Sequence, residues 1–325
     1  MIFNQAEIKE LVGINDETIT VVEKAFTDLA TKSVVMPPIM RVDIPEYNGE
    51  VDVKTAYIPG SELFALKVSS GFFDNFKLGL PSANGLMMLI SSVTGEPKAL
   101  LLDNGYLTDI RTAAAGAVAA KYLANDTIYT AGVIGAGAQA RYQIKALHKV
   151  RDFKEVIVYG PTESRVIAFK QEMERDLDVN VHIATNPEHV VALSEVVITT
   201  TPATSPVIQE AWLHPGVHIT AMGSDAEHKQ ELEASILKRA DIYVSDVKTQ
   251  CLRLGELRSA VEEGLFSKET DVIELGELTS GKKTGRTDSS EITVADLTGT
   301  GAQDTAIAVY ALNQLRRKQE IYVKE

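Results

Sequence analysis

A glycine-rich turn carries the sharpest chemistry in this sequence. Gly135-Ala136-Gly137-Ala138-Gln139-Ala140 follows the apolar run Tyr129–Ile134 and opens a segment, Ala138–Val150, with helical patterning. In such a turn the first glycine permits the tight bend and the second lets backbone approach a pyrophosphate. The helix N-terminus then offers N–H donors and the positive end of its dipole. Ala140, the third small residue, allows close helix–strand packing. At the first βα turn of a series of alternating strands, the pattern predicts a dinucleotide site at Gly135, Gly137, Ala138 and Gln139 rather than a merely structural turn. The next strand, Glu155–Tyr159, ends at Gly160, where an NAD-preferring site carries an acidic residue for the ribose hydroxyls. Thr162, Ser164 and Arg165 beyond it are suited to a 2′-phosphate; the alternatives are that Glu163 bends round to the ribose or that these are solvated loop residues. The cofactor expectation is therefore NAD(P)(H), leaning to NADP(H).

Charged residues in apolar company form the second set. Arg111 sits in Leu107-Thr108-Asp109-Ile110-Arg111-Thr112-Ala113-Ala114-Ala115, between an apolar strand and a small-residue helix. Its planar fork suits a carboxylate, because both oxygens are engaged at once; the alternative is a surface pair with Asp109 or Asp103. Lys67 lies inside Phe64-Ala65-Leu66-Lys67-Val68, where a lysine needs a carboxylate partner or a task, unless it snorkels or blocks a sheet edge. Arg41 follows Met36-Pro37-Pro38. Asp225, in Ala221-Met222-Gly223-Ser224-Asp225, falls at the carboxyl end of a parallel strand, where doubly wound sheets hold ligands and a carboxylate can serve as general base. The alternative is a helix N-cap before Glu231–Leu237, and His228 stands near enough in sequence to support Asp225.

Other chemistries find no footing. His214 and His218 have the spacing of a helical zinc pair, but Pro215-Gly216 breaks the helix between them. Cys251 is alone, so neither a disulfide nor a cysteine zinc site is expected, and no metal is. No Gly-x-Ser-x-Gly elbow is present to support a hydrolase. With 32 Lys and Arg against 45 Asp and Glu, the formal charge of −13 repels phosphate backbones and anionic lipid. Neither a membrane span nor a secretory leader is expected, and the cytoplasm is the expected location.

These residues need two kinds of scaffold. The 325 residues suggest two domains. Residues 1–113 open with an amphipathic segment, Glu7–Leu29, with Asp16 as N-cap. Runs at Val51–Ile58, Leu63–Ser69, Gly85–Ser91 and Lys98–Asp103 then read as antiparallel strands. Residues 114–296 alternate apolar runs with helix-length segments, a βαβ rhythm that predicts a Rossmann-type, doubly wound parallel sheet. Residues 297–325 contain a helical run, Asp304–Arg317, expected to pack back on the first domain. The fold class is α/β: a parallel dinucleotide-binding sheet plus an antiparallel β-rich domain.

Taken together, these motifs resemble the ornithine cyclodeaminase/mu-crystallin family over nearly the whole chain. The pieces that carry the resemblance are Phe64-Ala65-Leu66-Lys67, Leu107–Ala114, Gly135–Gln139, Gly223-Ser224-Asp225 leading to Lys229-Gln230-Glu231-Leu232, and Ile292–Gly299. Lys67–Asn75 with Leu100–Tyr106 is most similar to the subgroup linked to ectoine utilisation. The resemblance implies that Arg41, Lys67 and Arg111 hold a substrate carboxylate and that Asp225 is the acid/base group, with Lys67 next in line for proton chemistry. Ser82, Arg111, Thr112, Thr201, Met222 and Thr298 match positions on the cofactor side, and Thr162 and Arg165 join them on the reading above. Two departures are Gly160 and the Gly-rich Thr298-Gly299-Thr300-Gly301. The implied substrate is a small amino or imino acid, with hydride passing between its α-carbon and the nicotinamide. A cyclodeaminase, a ketimine or pyrroline-carboxylate reductase and an amino-acid dehydrogenase all fit; the alternative is a non-catalytic, mu-crystallin-like binder of NADP(H) and a carboxylated ligand. The family pairs two β-rich domains, so a homodimer is implied, the β-rich domain being the substrate and dimerisation domain.

Overall fold

The computed structural model describes residues 1–322. Two compact units emerge: Met1–Arg111 with the segment from Thr300 onward, and Thr112–Gly299.

The first unit is built on a six-stranded sheet of β1 (Ile2–Asn4), β2 (Met40–Ile44), β3 (Gly49–Ala56), β4 (Leu63–Phe72), β5 (Ala83–Ser91) and β6 (Pro97–Leu102). Their spatial order is β1-β6-β5-β4-β3-β2. All neighbours are antiparallel except β1, which runs parallel to β6 and went unread in the sequence. The amphipathic segment Glu7–Leu29 falls into two helices, α1 (Gln5–Leu11) and α2 (Asp16–Thr31). Asn15, not Asp16, caps the second: its side chain accepts the Thr18 N–H at 2.9 Å, while Asp16 lies inside the first turn, where a negative charge suits the dipole. One sheet face buries Ala56, Ala65, Lys67, Met87, Leu89 and Leu101. The other carries Val51, Val53, Leu66, Val68, Leu86 and Met88, all only half-buried. The C-terminal helix, Gly301–Tyr322, packs on β3, β4 and α2, as expected of residues 297–325. Gly301 makes this approach possible: a Cβ there would lie 2.3 Å from the Thr55 carbonyl oxygen. Thr305 then pins the helix, donating to the Ala56 carbonyl at 2.8 Å and accepting the Ala65 N–H at 3.1 Å.

The second unit holds β7 (Thr130–Ile134), β8 (Glu155–Tyr159), β9 (Asn180–Ile183), β10 (Val196–Thr199), β11 (Thr204–Ile208), β12 (His218–Ala221), β13 (Gln230–Leu232), β14 (Ile242–Ser245), β15 (Ile273–Glu274) and β16 (Thr293–Asp296). Eight of them form a parallel sheet in the order β15-β14-β16-β12-β10-β7-β8-β9, and β11 pairs with β13 separately. Helix α3 (Tyr106–Leu123) contains the boundary between the units; α4 (Ala138–Val150) and α5 (Glu163–Leu177) follow β7 and β8. The central strands are buried along their whole length, as a parallel sheet covered on both faces requires. The helix expected over Glu231–Leu237 is instead β13 followed by a short helix, Ser235–Arg239. Its apolar run was too short for periodicity to separate the two states, and pairing with β11 decides for strand. No helix among the described residues is long and apolar enough to cross a membrane.

Candidate functional site

The first unit gathers buried charge around one carboxylate. Lys67 lies on β4, two strands in from β2 at the edge, so it blocks no edge. It is 2% exposed, and its Nζ stands 3.0 Å from Asp304 Oδ2. Arg111, also buried, brings Nε to 2.9 Å from the other oxygen of Asp304 and donates from Nη1 to Gln303 Oε1 at 3.2 Å. Its partner is therefore neither Asp109 nor Asp103 but a residue of the C-terminal helix. Lys54 on β3, buried and opposite Lys67 in the strand register, adds a third cation. Burial pushes the Lys67 pKa down to about 7, Arg111 adds repulsion, and Asp304 opposes both. Burial alone would raise the Asp304 carboxyl, but Arg111, Lys67 and Lys54 outweigh it and hold the pKa below the usual value. Asp103 is pushed up to about 6 by burial, although its carboxylate accepts the Leu107 N–H at 2.7 Å. Lys67 and Arg111 thus converge on the two oxygens of one fully buried carboxylate, a pair of cations suited to a second, incoming carboxylate.

Arg41 has different company. It lies on β2 with its side chain paired to Glu50, to Asp43 at 2.9 Å and to Asp52 at 3.7 Å. Ser82 is exposed in the turn before β5, its carbonyl accepting the Phe72 N–H at 2.7 Å.

In the second unit the glycine turn has the shape a dinucleotide needs. Gly135 adopts φ +110°, and a Cβ there would lie 2.6 Å from Thr200 Oγ1. Gly137 has open space where a Cβ would project, and it precedes the first turn of α4, so the N–H groups there face outward to a ligand. Arg141, which the sequence reading passed over, braces the turn: Nη1 donates to the Ala136 and Gly137 carbonyls, each at 2.8 Å, while Nε pairs with Glu172. A cavity of about 590 Å³ is lined by Gly135, Gly137, Gly160, Thr162, Arg165 and Trp212, among others. That volume suits part of a dinucleotide, and the residues present fit one. Ala138 is exposed and Gln139 half-buried at the start of α4. At Gly160 a Cβ would crowd Val166 Cγ2 at 3.1 Å and the Ala136 Cβ at 3.3 Å, a steric reason for the missing acidic side chain. Arg165 is exposed on α5 and makes no ion pair among the described residues.

The remaining residues expected on the cofactor side sit on bonded backbone. The Thr112 carbonyl accepts from Gln143 Nε2 at 2.9 Å, and the Met222 N–H reaches the Thr199 carbonyl at 3.1 Å. Asp246, another residue missed in the sequence, accepts the Thr298 and Gly299 N–H groups at 2.8 and 2.7 Å and so fixes the Gly-rich turn. Thr201 donates its N–H to buried Glu231. Asp225 follows β12, half-exposed at 49%, with Lys229 Nζ 2.6 Å from Oδ1. Lys229 is thus a partner of Asp225, and among the described residues no helix begins there for it to cap.

The sequence profile of the ornithine cyclodeaminase/mu-crystallin family matches residues 1–319. The chain belongs to this family. An uncharacterized cyclodeaminase of Sinorhizobium fredii is 49% identical over 318 residues, covering 98% of this chain and 96% of the relative. The pyrroline-2-carboxylate reductase of Thermococcus litoralis, solved with NADH and L-proline, superposes with a TM-score of 0.93 at 29% identity, with 98% of each chain covered. An archaeal alanine dehydrogenase dimer with bound NAD gives 0.90 at 34% identity, covering 98% of this chain and 97% of the other. The chain is an NAD(P)-dependent enzyme of the family's amino- and imino-acid chemistry.

Of the family positions, Lys67 and Arg111 are brought together on Asp304, and Gly135–Gln139 on one turn. Among the described residues Arg41 forms no ion pair with the Asp304 cluster; its partners are on β2 and β3. Asp304, Lys54, Asp246 and Glu231 escaped the sequence reading. Asp304 had a signal: a lone charge in the otherwise uncharged start of a helix, Gly301-Ala302-Gln303-Asp304-Thr305-Ala306.

Proposed function

We propose that this enzyme transfers hydride between nicotinamide and the α-carbon of a small amino or imino acid, with Lys67 and Arg111 holding the substrate carboxylate and Asp225 moving the proton at nitrogen. The observation that carries the reading is the convergence of buried Lys67 and Arg111 on Asp304. A charge-assisted, two-pronged grip on the carboxylate would orient the α-carbon and leave its substituents free. When bound, the cofactor supplies the hydride acceptor or donor. Asp225 would take a proton from the α-ammonium as the amine becomes an imine, or return one in the reverse direction. With its pKa near 7, Lys67 can give up a proton at neutral pH and is the second candidate for that work.

Arg41 belongs to the substrate set on family resemblance alone, since three carboxylates already surround it. The cofactor set is Ser82, Arg111, Thr112, Gly135, Gly137, Ala138, Gln139, Thr162, Arg165, Thr201, Met222 and Thr298. Arg165 without an ion-pair partner among the described residues and the crowded Gly160 support NADP(H) over NAD(H), although the relatives cited above were solved with NADH or NAD. The half-buried apolar face of the first unit's sheet supports a homodimer joined there, and a monomeric mass at micromolar concentration would contradict it. A cytoplasmic setting and a place in ectoine breakdown, which the subgroup resemblance implies, complete the proposal.

A panel of cyclic imines, 2-oxo acids with ammonia, L-ornithine and L-alanine, read at the nicotinamide absorbance with either cofactor, tests the reaction and separates reductase, dehydrogenase and cyclodeaminase. Binding without turnover throughout would leave only a mu-crystallin-like binding protein.

A further inference from the structure

Glu231 has no part in the chemistry assigned so far, yet it touches both ends of it. It is wholly buried on β13. Its Oε1 accepts the Thr201 N–H at 2.6 Å, and its Oε2 accepts the Gly223 N–H at 2.7 Å and the Thr199 hydroxyl at 2.6 Å. Thr199 closes β10, and Thr201 lies two residues beyond it; Gly223 follows β12 and precedes Asp225 by two residues. The three segments are pressed together: a Cβ on Gly223 would sit 2.2 Å from the Thr201 carbonyl oxygen and 2.6 Å from the Glu231 carboxyl carbon. Glu231 is itself held from behind, since Glu256 accepts its N–H at 2.9 Å and that of Leu232 at 3.1 Å. The same stretch of chain supports Asp225, because Ser224 Oγ donates to the Lys229 carbonyl at 2.9 Å and Lys229 pairs with Asp225. Burial pushes the Glu231 carboxyl pKa up, and the converging donors pull against that.

We propose that Glu231 is a positioning residue: its two oxygens set the spacing between the Thr201 peptide and the Gly223–Asp225 turn, so that the acid/base carboxylate and a cofactor-side peptide are held as one piece. The inference rests on the roles given above to Asp225 and Thr201. Only a carboxylate presents an acceptor to each peptide. A glutamine at this position turns its NH₂ toward the Thr201 N–H in one orientation and toward the Gly223 N–H in the other. Either way two donors face each other at hydrogen-bond distance, and one peptide must move.

The test compares Glu231→Gln with Thr199→Val in the full-length enzyme. Thr199→Val removes a bond to the same carboxylate but leaves both peptides paired. Glu231→Gln is expected to lower kcat about ten- to a hundredfold, the scale of a misplaced reacting group. The KM of the carboxylate substrate should stay within about threefold, because Lys67 and Arg111 are untouched. Thr199→Val is expected to lower Tm while keeping kcat within about threefold. If both variants lose Tm and both keep kcat, Glu231 is only structural and the proposal is overturned. Should Glu231→Gln not fold, Glu231→Asp keeps both acceptors one methylene short, and wild-type kcat in that variant overturns the proposal equally. Asp225→Asn, assayed alongside, separates the two layers: wild-type kcat there removes the role of Asp225, and this proposal with it. Loss in Asp225→Asn with wild-type kcat in the Glu231 variants overturns this proposal alone.

Discussion

The charge cluster of the first unit and the glycine turn of the second would meet an anion in opposite ways. Around Asp304 the work falls to long side chains carrying full charges, buried where each is costly unless matched. At Gly135–Gln139 it falls to backbone N–H groups, the dipole of α4 and the absence of side chains. The cluster draws residues from β3, β4, α3 and the C-terminal helix, whereas the turn is made within one short stretch of chain. A site of charges is exposed to pH and to loss of any one partner; a site of backbone is exposed to added bulk.

Four measurements break or sharpen that contrast. Asp225→Asn keeps size and polarity but removes the carboxylate; kcat should fall about 10²–10⁴-fold, the usual range for general acid–base catalysis. Cofactor affinity should hold, since the turn's contacts are untouched. An unchanged kcat would move the proton chemistry to Lys67 or His228. Asp304→Asn leaves Lys67 and Arg111 without their buried anion and should cost roughly 3–5 kcal/mol in denaturant unfolding. A loss below about 1 kcal/mol, the scale of an exposed pair, would show that water reaches the cluster.

Gly137→Ala tests the other region. With φ −84° and nothing within 4 Å of the added Cβ, the variant should fold with an unchanged Tm. Dinucleotide affinity should drop about tenfold or more as the methyl group fills the approach to the N–H donors. Unchanged affinity by calorimetry would place the pyrophosphate elsewhere. The smallest effect is in pH. The Lys67 pKa lies near 7, below its ordinary 10.5, so Lys67 is an ammonium below pH 7 and neutral above it. Apparent substrate affinity should therefore weaken by up to about tenfold per pH unit as pH rises through 7, with Lys67→Met flattening the profile. The same shift works on stability with the opposite sign. Between pH 7 and 10.5 the unfolded chain binds the proton that the folded chain has released, so Lys67 destabilises the fold less as pH rises.

The sequence was most legible where structure is local. Helix α4 was expected over Ala138–Val150 and is found there, because a glycine turn, an apolar period and a basic last turn all lie within one segment. The parallel order of the second unit followed from uninterrupted apolar runs. It was silent where one pattern allows two readings. In Val51-Asp52-Val53-Lys54 the alternation marks a strand without saying which set faces the core; Lys54 is buried and the valines are half-buried on the other face.

What the sequence by itself determined, then, is the parts: a glycine turn shaped for a dinucleotide, the lysine and arginine set in apolar surroundings, and the alternation of strands and helices. Each is a statement about neighbours along the chain, where steric and hydrogen-bonding rules act at short range. Only the tertiary structure decided the partners. Arg111 meets Asp304 because Gly301 and Thr305 seat the C-terminal helix on β3 and β4, and Glu231 reaches Thr201 and Gly223 because β13 pairs with β11 instead of coiling. A charge's pKa and a carboxylate's role depend on distance in space and on exclusion of water, and the distance along the chain carries neither.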